Sequence, residues 1–218
     1  MRRFGIVIAW TVLWLGCALL FGQQSSSHSS DSSSKHSPAS KSLPERGSIT
    51  NNIYRNSYFH FSYQLPFGWV DRTSDMREDT DTDKSKVLLA IFERPPAASG
   101  DTINSAVIIA AESVDSYPGL KTAADYFGPL TELTESKGFK VVNQPYDFLV
   151  DGRPVVRGDF TKERGKLEMQ QASLVTLERG YVLSFTFLGG SQDEVTELVE
   201  KLSFAGRKPV SRKLEPGK

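Results

Sequence analysis

The densest run of ligating side chains is Asp79-Thr80-Asp81-Thr82-Asp83, inside an acidic stretch that begins at Asp75. Alternating carboxylates of this kind open a calcium loop, because a hard cation collects several oxygen ligands from one short turn. The second half of such a loop is missing. Lys84 stands where glycine must make the sharp turn, and Ala90 where a bidentate glutamate closes the coordination sphere. An EF-hand is therefore excluded, and Asp79, Asp81 and Asp83 remain as a weak cation loop, set against a solvated hairpin loop of mixed charge.

Other reactive side chains are sparse. Cys17 is the only cysteine, in Leu15-Gly16-Cys17, which loosely matches a lipidation motif. Trp14 occupies the place where that motif wants leucine, and Ala18-Leu19-Leu20-Phe21 is apolar where a mature lipoprotein starts polar, so lipid attachment at Cys17 is the secondary reading. If the leader is cut later, the mature chain has no thiol, hence no disulfide and no cysteine nucleophile or metal ligand. Of three histidines, His28 and His36 fall in a serine tract and only His60 in the folded region. Strand alternation puts His60 on the face opposite Phe59 and Phe61. No G-x-S-x-G elbow accompanies it, and there is no P-loop, G-x-G-x-x-G or H-E-x-x-H. No catalytic residue and no cofactor is assigned. Carboxylates distant in sequence stay open as a pair, since acid–base chemistry needs geometry rather than spacing.

The chain of 218 residues is charge-balanced, with Lys+Arg 26 against Asp+Glu 26. No global field favours nucleic acid, and basic and aromatic residues do not interleave along any segment. Arg153, Arg157, Lys162, Arg164 and Lys166 do gather around two turns, but Asp151, Asp159, Glu163 and Glu168 sit among them and screen them. Arg2 and Arg3 precede an uncharged run over residues 4–22, the pattern of an export signal or of a retained membrane tether. Residues 23–50 follow as a linker in which eleven of the eighteen positions 25–42 are serine, too polar to bury a core and so read as a flexible tether. Residues 206–218 form a basic tail, with five cations and one anion from Arg207 onward.

One globular domain is expected over residues 51–205. Phe59, Phe61, Tyr63 and Leu65 alternate with polar residues as in a half-buried strand that ends at Pro66 and Gly68. Residues 87–92 and 106–111 are apolar at odd and even positions alike, which demands a sheet covered on both faces. Four strands joined by Asp151-Gly152, Arg164-Gly165 and Arg179-Gly180 form an antiparallel meander between residues 139 and 188, with Tyr181, Leu183, Phe185 and Phe187 on one face. Ser191 and Glu194 have capping-box spacing ahead of Val195, Leu198, Val199 and Leu202, which repeat as a helix. Thr122 and Asp125 cap an earlier helix interrupted at Gly128-Pro129, or Pro129 opens a second segment ending at Gly138. The class is α+β: helices on a mainly antiparallel sheet.

The opening Tyr58-Phe59-His60-Phe61 before Leu65-Pro66-Phe67-Gly68-Trp69, and the ending Gly180-Tyr181-Val182-Leu183-Ser184-Phe185 with a last helix closing on Leu202-Ser203-Phe204, resemble PsbP-like domains. The resemblance implies an α/β/α sandwich and a binding or assembly role rather than catalysis. The expected function is thus a non-enzymatic, exported or membrane-tethered module with a protein partner in the cell envelope. The alternative is a small-ligand or lipid carrier with a helix–sheet pocket, and the third reading is a hydrolase with a carboxylate site. Trp69 is expected to pack under the fold more readily than to anchor a partner.

Overall fold

The computed structural model describes residues 46–204 except 83, 96, 97 and 99, so the leader with Cys17, the serine tract, Asp83 and the basic tail lie outside the described residues. The chain runs β1 (Ser48–Thr50), β2 (Ile53–Asn56), β3 (Phe61–Gln64), β4 (Val70–Asp71), α1 (Thr73–Thr80), β5 (Ser85–Phe92) and β6 (Ala106–Ser113). After two 3-10 turns, Val114–Ser116 and Ala124–Tyr126, come α2 (Phe127–Ser136), β7 (Lys140–Val150), β8 (Arg153–Arg164), β9 (Leu167–Glu178), β10 (Tyr181–Gly189), α3 (Gln192–Glu200) and β11 (Leu202–Phe204). The folded chain starts earlier than residue 51, because Ser48–Thr50 pairs with β2. Among the described residues no helix is long and apolar enough to cross a membrane.

Seven strands make the central sheet, in the order β4-β5-β6-β10-β9-β8-β7, every neighbour antiparallel. The expected meander is β7 to β10, and its turns carry positive φ at Asp151, Gly152, Gly165, Arg179 and Gly180. The apolar runs in β5 and β6 are buried on both faces. One face is covered by a second, four-stranded sheet, β1-β2-β3-β11, together with α3. This small sheet is an addition to the helical cover read from the sequence. Phe61 stacks edge-on against Phe185, Tyr63 lies over Phe187, and Val195, Leu198 and Val199 of α3 fill the remaining surface. Each such buried side chain contributes about 1.5–3 kcal/mol by leaving water.

On the other face Tyr126 and Phe127 press on Val175 and Val182. Phe127 comes so near β8 that a Cβ at Gly158 would stand 2.6 Å from its ring, so this position requires glycine. The Thr122 and Asp125 cap forms as expected: Asp125 accepts from the Thr122 N–H at 2.8 Å and Thr122 Oγ1 from the Asp125 N–H at 3.3 Å. Pro129 falls inside the first turn of α2, where its missing N–H costs nothing, and Gly138 at φ 86 follows the helix end. Ser191 caps α3 by accepting from the Glu194 N–H at 3.1 Å, while the Glu194 carboxylate takes the Gly190 N–H at 2.7 Å and the Ser105 hydroxyl.

The stretch expected as an acidic hairpin loop is helical over Thr73–Thr80, and this α1 seals the outer edge of β5. Arg77 donates to the Val87 and Leu88 carbonyls at 2.8 and 2.9 Å, Asp81 Oδ1 accepts the Val87 N–H at 2.8 Å, and Thr73 Oγ1 accepts the Ala90 N–H at 2.9 Å. These side chains stand in for a neighbouring strand and leave no bare template for aggregation. Arg77→Ala should lower stability by about 1–3 kcal/mol in urea unfolding by leaving two carbonyls unsatisfied, with Arg77→Lys restoring only part, because one ammonium cannot reproduce the forked contact.

Candidate functional site

Two buried charged clusters are the places where chemistry could be concealed. Glu112, at the end of β6, is 2% exposed, and its carboxylate accepts from the hydroxyls of Tyr117 and Tyr126, the latter at 2.7 Å. Burial holds this carboxyl above its ordinary range, with the two phenol hydrogen bonds pulling the other way. The phenols are in turn pushed well above theirs, first by burial and then by Glu112. The trio pins the 3-10 turns to the sheet. It pairs one carboxyl with two phenols that hold their protons, a clamp rather than an acid–base couple.

The second cluster joins β8 to the edge strand β7. Arg157 Nε donates to Asp159 Oδ1 at 2.8 Å, and Asp159 Oδ2 accepts from Asn143 Nδ2 at 3.1 Å and the Tyr146 hydroxyl at 3.0 Å. The Arg157 guanidinium stands 5.0 Å from the Phe148 ring centre. Both oxygens of Asp159 and the face of the guanidinium are thus committed, as a buried pair requires. The Glu112 trio was not marked by the sequence, because its tyrosines lie 5 and 14 positions away on other elements; in the second cluster the sequence set Arg157 beside Asp159 but not with Asn143 and Tyr146, 16 and 13 positions before Asp159 on another strand.

The residues singled out by sequence are dispersed. Asp79 is exposed on α1, and Asp81 follows that helix with Oδ1 on the Val87 N–H. Its buried Oδ2 has no hydrogen-bond partner and is countered by Arg46 at 3.7 Å and Lys86 at 3.9 Å, so two of the protein's own cations stand where a metal would need access. His60 is not on a strand. Asn56 Oδ1 accepts the Phe59 N–H at 2.9 Å, a turn forms, and His60 takes φ 57 with its ring exposed against Arg179. The basic cluster is split as its mixed charge suggested: Arg157 pairs with Asp159, Arg153 with Glu178, and Lys162 caps the Lys137 carbonyl at 2.6 Å.

Among the described residues, the Phe67 turn and strand β7 present apolar side chains to solvent. Trp69 packs partly buried against the main core, as expected, but Phe67 on the same turn is 99% exposed. Phe67 was the residue missed; its neighbours Pro66 and Gly68, which mark a turn tip, were the available signal. The second surface is β7, exposed along nearly all its length with Val142 and Leu149 outward, and broken in register near Val142 and between Asn143 and Tyr146. Pro145 and these bulges blunt this edge without covering it.

No protein-family model matches the chain, and no curated protein matches its sequence. Its fold is similar to solved structures at low identity. Cyanobacterial PsbP from Synechocystis sp. PCC 6803 has 18% identity and a TM-score of 0.44 over 72% of this chain and 98% of that one. The Saccharomyces cerevisiae Ran-binding protein Mog1p has 11% identity and a TM-score of 0.43 over 72% and 96%. LpqN, involved in cell envelope biogenesis of Mycobacterium tuberculosis, has 12% identity and a TM-score of 0.36 over 66% and 82%.

Glu112 generates a pH prediction. A carboxyl raised by burial stabilises the fold fully only below its unfolded value, and that contribution is lost as pH rises through the folded value. Across the pH range above the ordinary glutamate value of about 4.3, Glu112→Gln should therefore gain in thermal midpoint relative to the parent, with the gap widening as pH rises. A gap independent of pH would show that Glu112 does not titrate in this range.

Proposed function

We propose that this protein is a non-enzymatic binding module, exported or held at the membrane by residues 4–22, that docks a protein partner of the cell envelope through the Phe67 turn with the β7 edge as a second contact. The observation that carries this reading is the 99% exposed phenylalanine on a turn whose Trp69 is anchored in the core. An aromatic ring on a rigid support loses little conformational freedom on binding, which is what makes such residues hot spots.

A carrier would need room between helix and sheet. That interface is filled by Val195, Leu198 and Val199 packed on Leu174, Phe185 and Phe187, which favours the binding module. A hydrolase would need paired carboxylates open to substrate, whereas the buried Glu112 and Asp159 are each committed to side chains of the fold.

Affinity capture with the full chain from envelope fractions should retain a reproducible partner, and Phe67→Ala should weaken that capture about tenfold, the effect of about 1.4 kcal/mol at a hot spot, with unfolding unchanged because the ring contacts no core. Turnover of an exported substrate that disappears when domain carboxylates are replaced would overturn the reading.

A further inference from the structure

The β9–β10 turn carries a residue that its backbone does not favour. Arg179 and Gly180 both have positive φ, 52 and 81°, as do Asp151 and Gly152 at 50 and 74° and Asn51 and Asn52 at 50 and 60°. Two-residue turns of this twist favour asparagine, aspartate or glycine at the first position, and a long side chain there costs about 1 kcal/mol. Asn51 and Asp151 obey the preference and Arg179 does not. Retaining arginine at a strained position points to a use for its side chain.

That side chain is held in place by contacts with His60, Tyr58 and Glu178. Arg179 Nη2 lies 2.7 Å from His60 Nε2, joining segments 119 residues apart, and His60 is itself in the left-handed region at φ 57. A guanidinium has donors only, so His60 Nε2 is the acceptor in this contact. The guanidinium carbon stands 5.1 Å from the centre of the Tyr58 ring, and Tyr58 is backed edge-on by Phe59 and Tyr181. Glu178 is shared: Arg153 bonds its Oε2, and its Oε1 forms a looser ion pair with Arg179 Nε at 3.7 Å. Asp151, the carboxylate beside β11, is committed to the Ser203 hydroxyl and the Phe204 N–H. Arg153 covers the Phe204 ring at 4.5 Å.

We propose that Arg179, seated on Tyr58 and braced by His60, forms a recognition site for a carboxylate carried by an acidic segment of a protein partner. An arginine fork binds a carboxylate through two parallel hydrogen bonds, and stacking on an aromatic ring fixes the plane of that fork in advance. Arg153 and Arg179 share the one carboxylate of Glu178, which leaves a single positive charge to match a single negative one. A phosphate dianion would outweigh that charge, and an anionic lipid surface would call for a broader basic field. This site lies at the end of β3 opposite the Phe67 turn and goes beyond the function proposed above.

The test titrates the full chain with an N-acetylated, C-amidated hexaglutamate peptide, following the Arg179 guanidinium and His60 ring signals by NMR. Saturable binding that shifts both signals is expected. Arg179→Asn should weaken it about tenfold or more while leaving the thermal midpoint equal or higher, since asparagine suits the turn. Phe67→Ala should bind the peptide as the parent does. Undiminished peptide binding by Arg179→Asn overturns the proposal, and so does a lowered midpoint in that variant, which would make Arg179 a structural brace. Binding of inorganic phosphate or of phosphatidylglycerol vesicles that depends on Arg179 while the peptide fails overturns the assignment to a protein carboxylate. If the peptide result holds but affinity capture finds no partner through Phe67, the site stands and the docking mode proposed above falls.

Discussion

Strands β5 and β6 are apolar at consecutive positions, so the sheet they build has no face that can be left in water. Burying one such face against solvent exclusion is common in antiparallel proteins; burying both forces a third layer. The small sheet with α3 supplies one cover and the 3-10 turns with α2 the other. The same demand explains α1. With both faces closed, the remaining exposed backbone is at the edges, and Arg77, Thr73 and Asp81 satisfy the β5 side directly.

Charges inside this sandwich follow from its thickness. Glu112 and Asp159 point into layers where water cannot follow, and each is matched by donors recruited from a covering or neighbouring element. Tyr126 serves twice, as apolar packing on Val175 and Val182 and as a donor to Glu112, which ties the seating of α2 to a polar contact with a defined direction. Such contacts add more to the uniqueness of the arrangement than to its net stability.

Function is left to the parts the layers do not consume. β3 passes through the core from the His60 turn to the Phe67 turn, so one strand carries a cation–aromatic cluster at one end and a bare aromatic ring at the other. Both turns are stiffened by aromatic neighbours, Tyr58 with Phe59 on one side and Trp69 on the other. Rigid presentation of a few side chains suits recognition, where the ordering of flexible groups is a main cost.

Much of the fold was legible because it depends on local period. The four-strand meander, the double-sided burial of residues 87–92 and 106–111, the α3 cap at Ser191 and the inward position of Trp69 all follow from alternation, turn residues or capping spacing. Helix α1 was not legible: Thr-Ser-Asp-Met-Arg-Glu-Asp-Thr has no apolar stripe, and it is helical because Arg77 and Thr73 dock on the β5 edge. The alternation through Phe59 suggested strand where Asn56 draws the chain into a turn, and β1 and β11 are too short to announce themselves. Composition and periodicity alone determined the class, the need to cover the central sheet on both faces and the absence of familiar catalytic motifs, because those depend on neighbours a few residues apart. Only the tertiary structure decided which ring stays bare, which carboxylates are clamped and that Arg179 meets His60, because those contacts join residues whose separation along the chain carries no information about their distance in space.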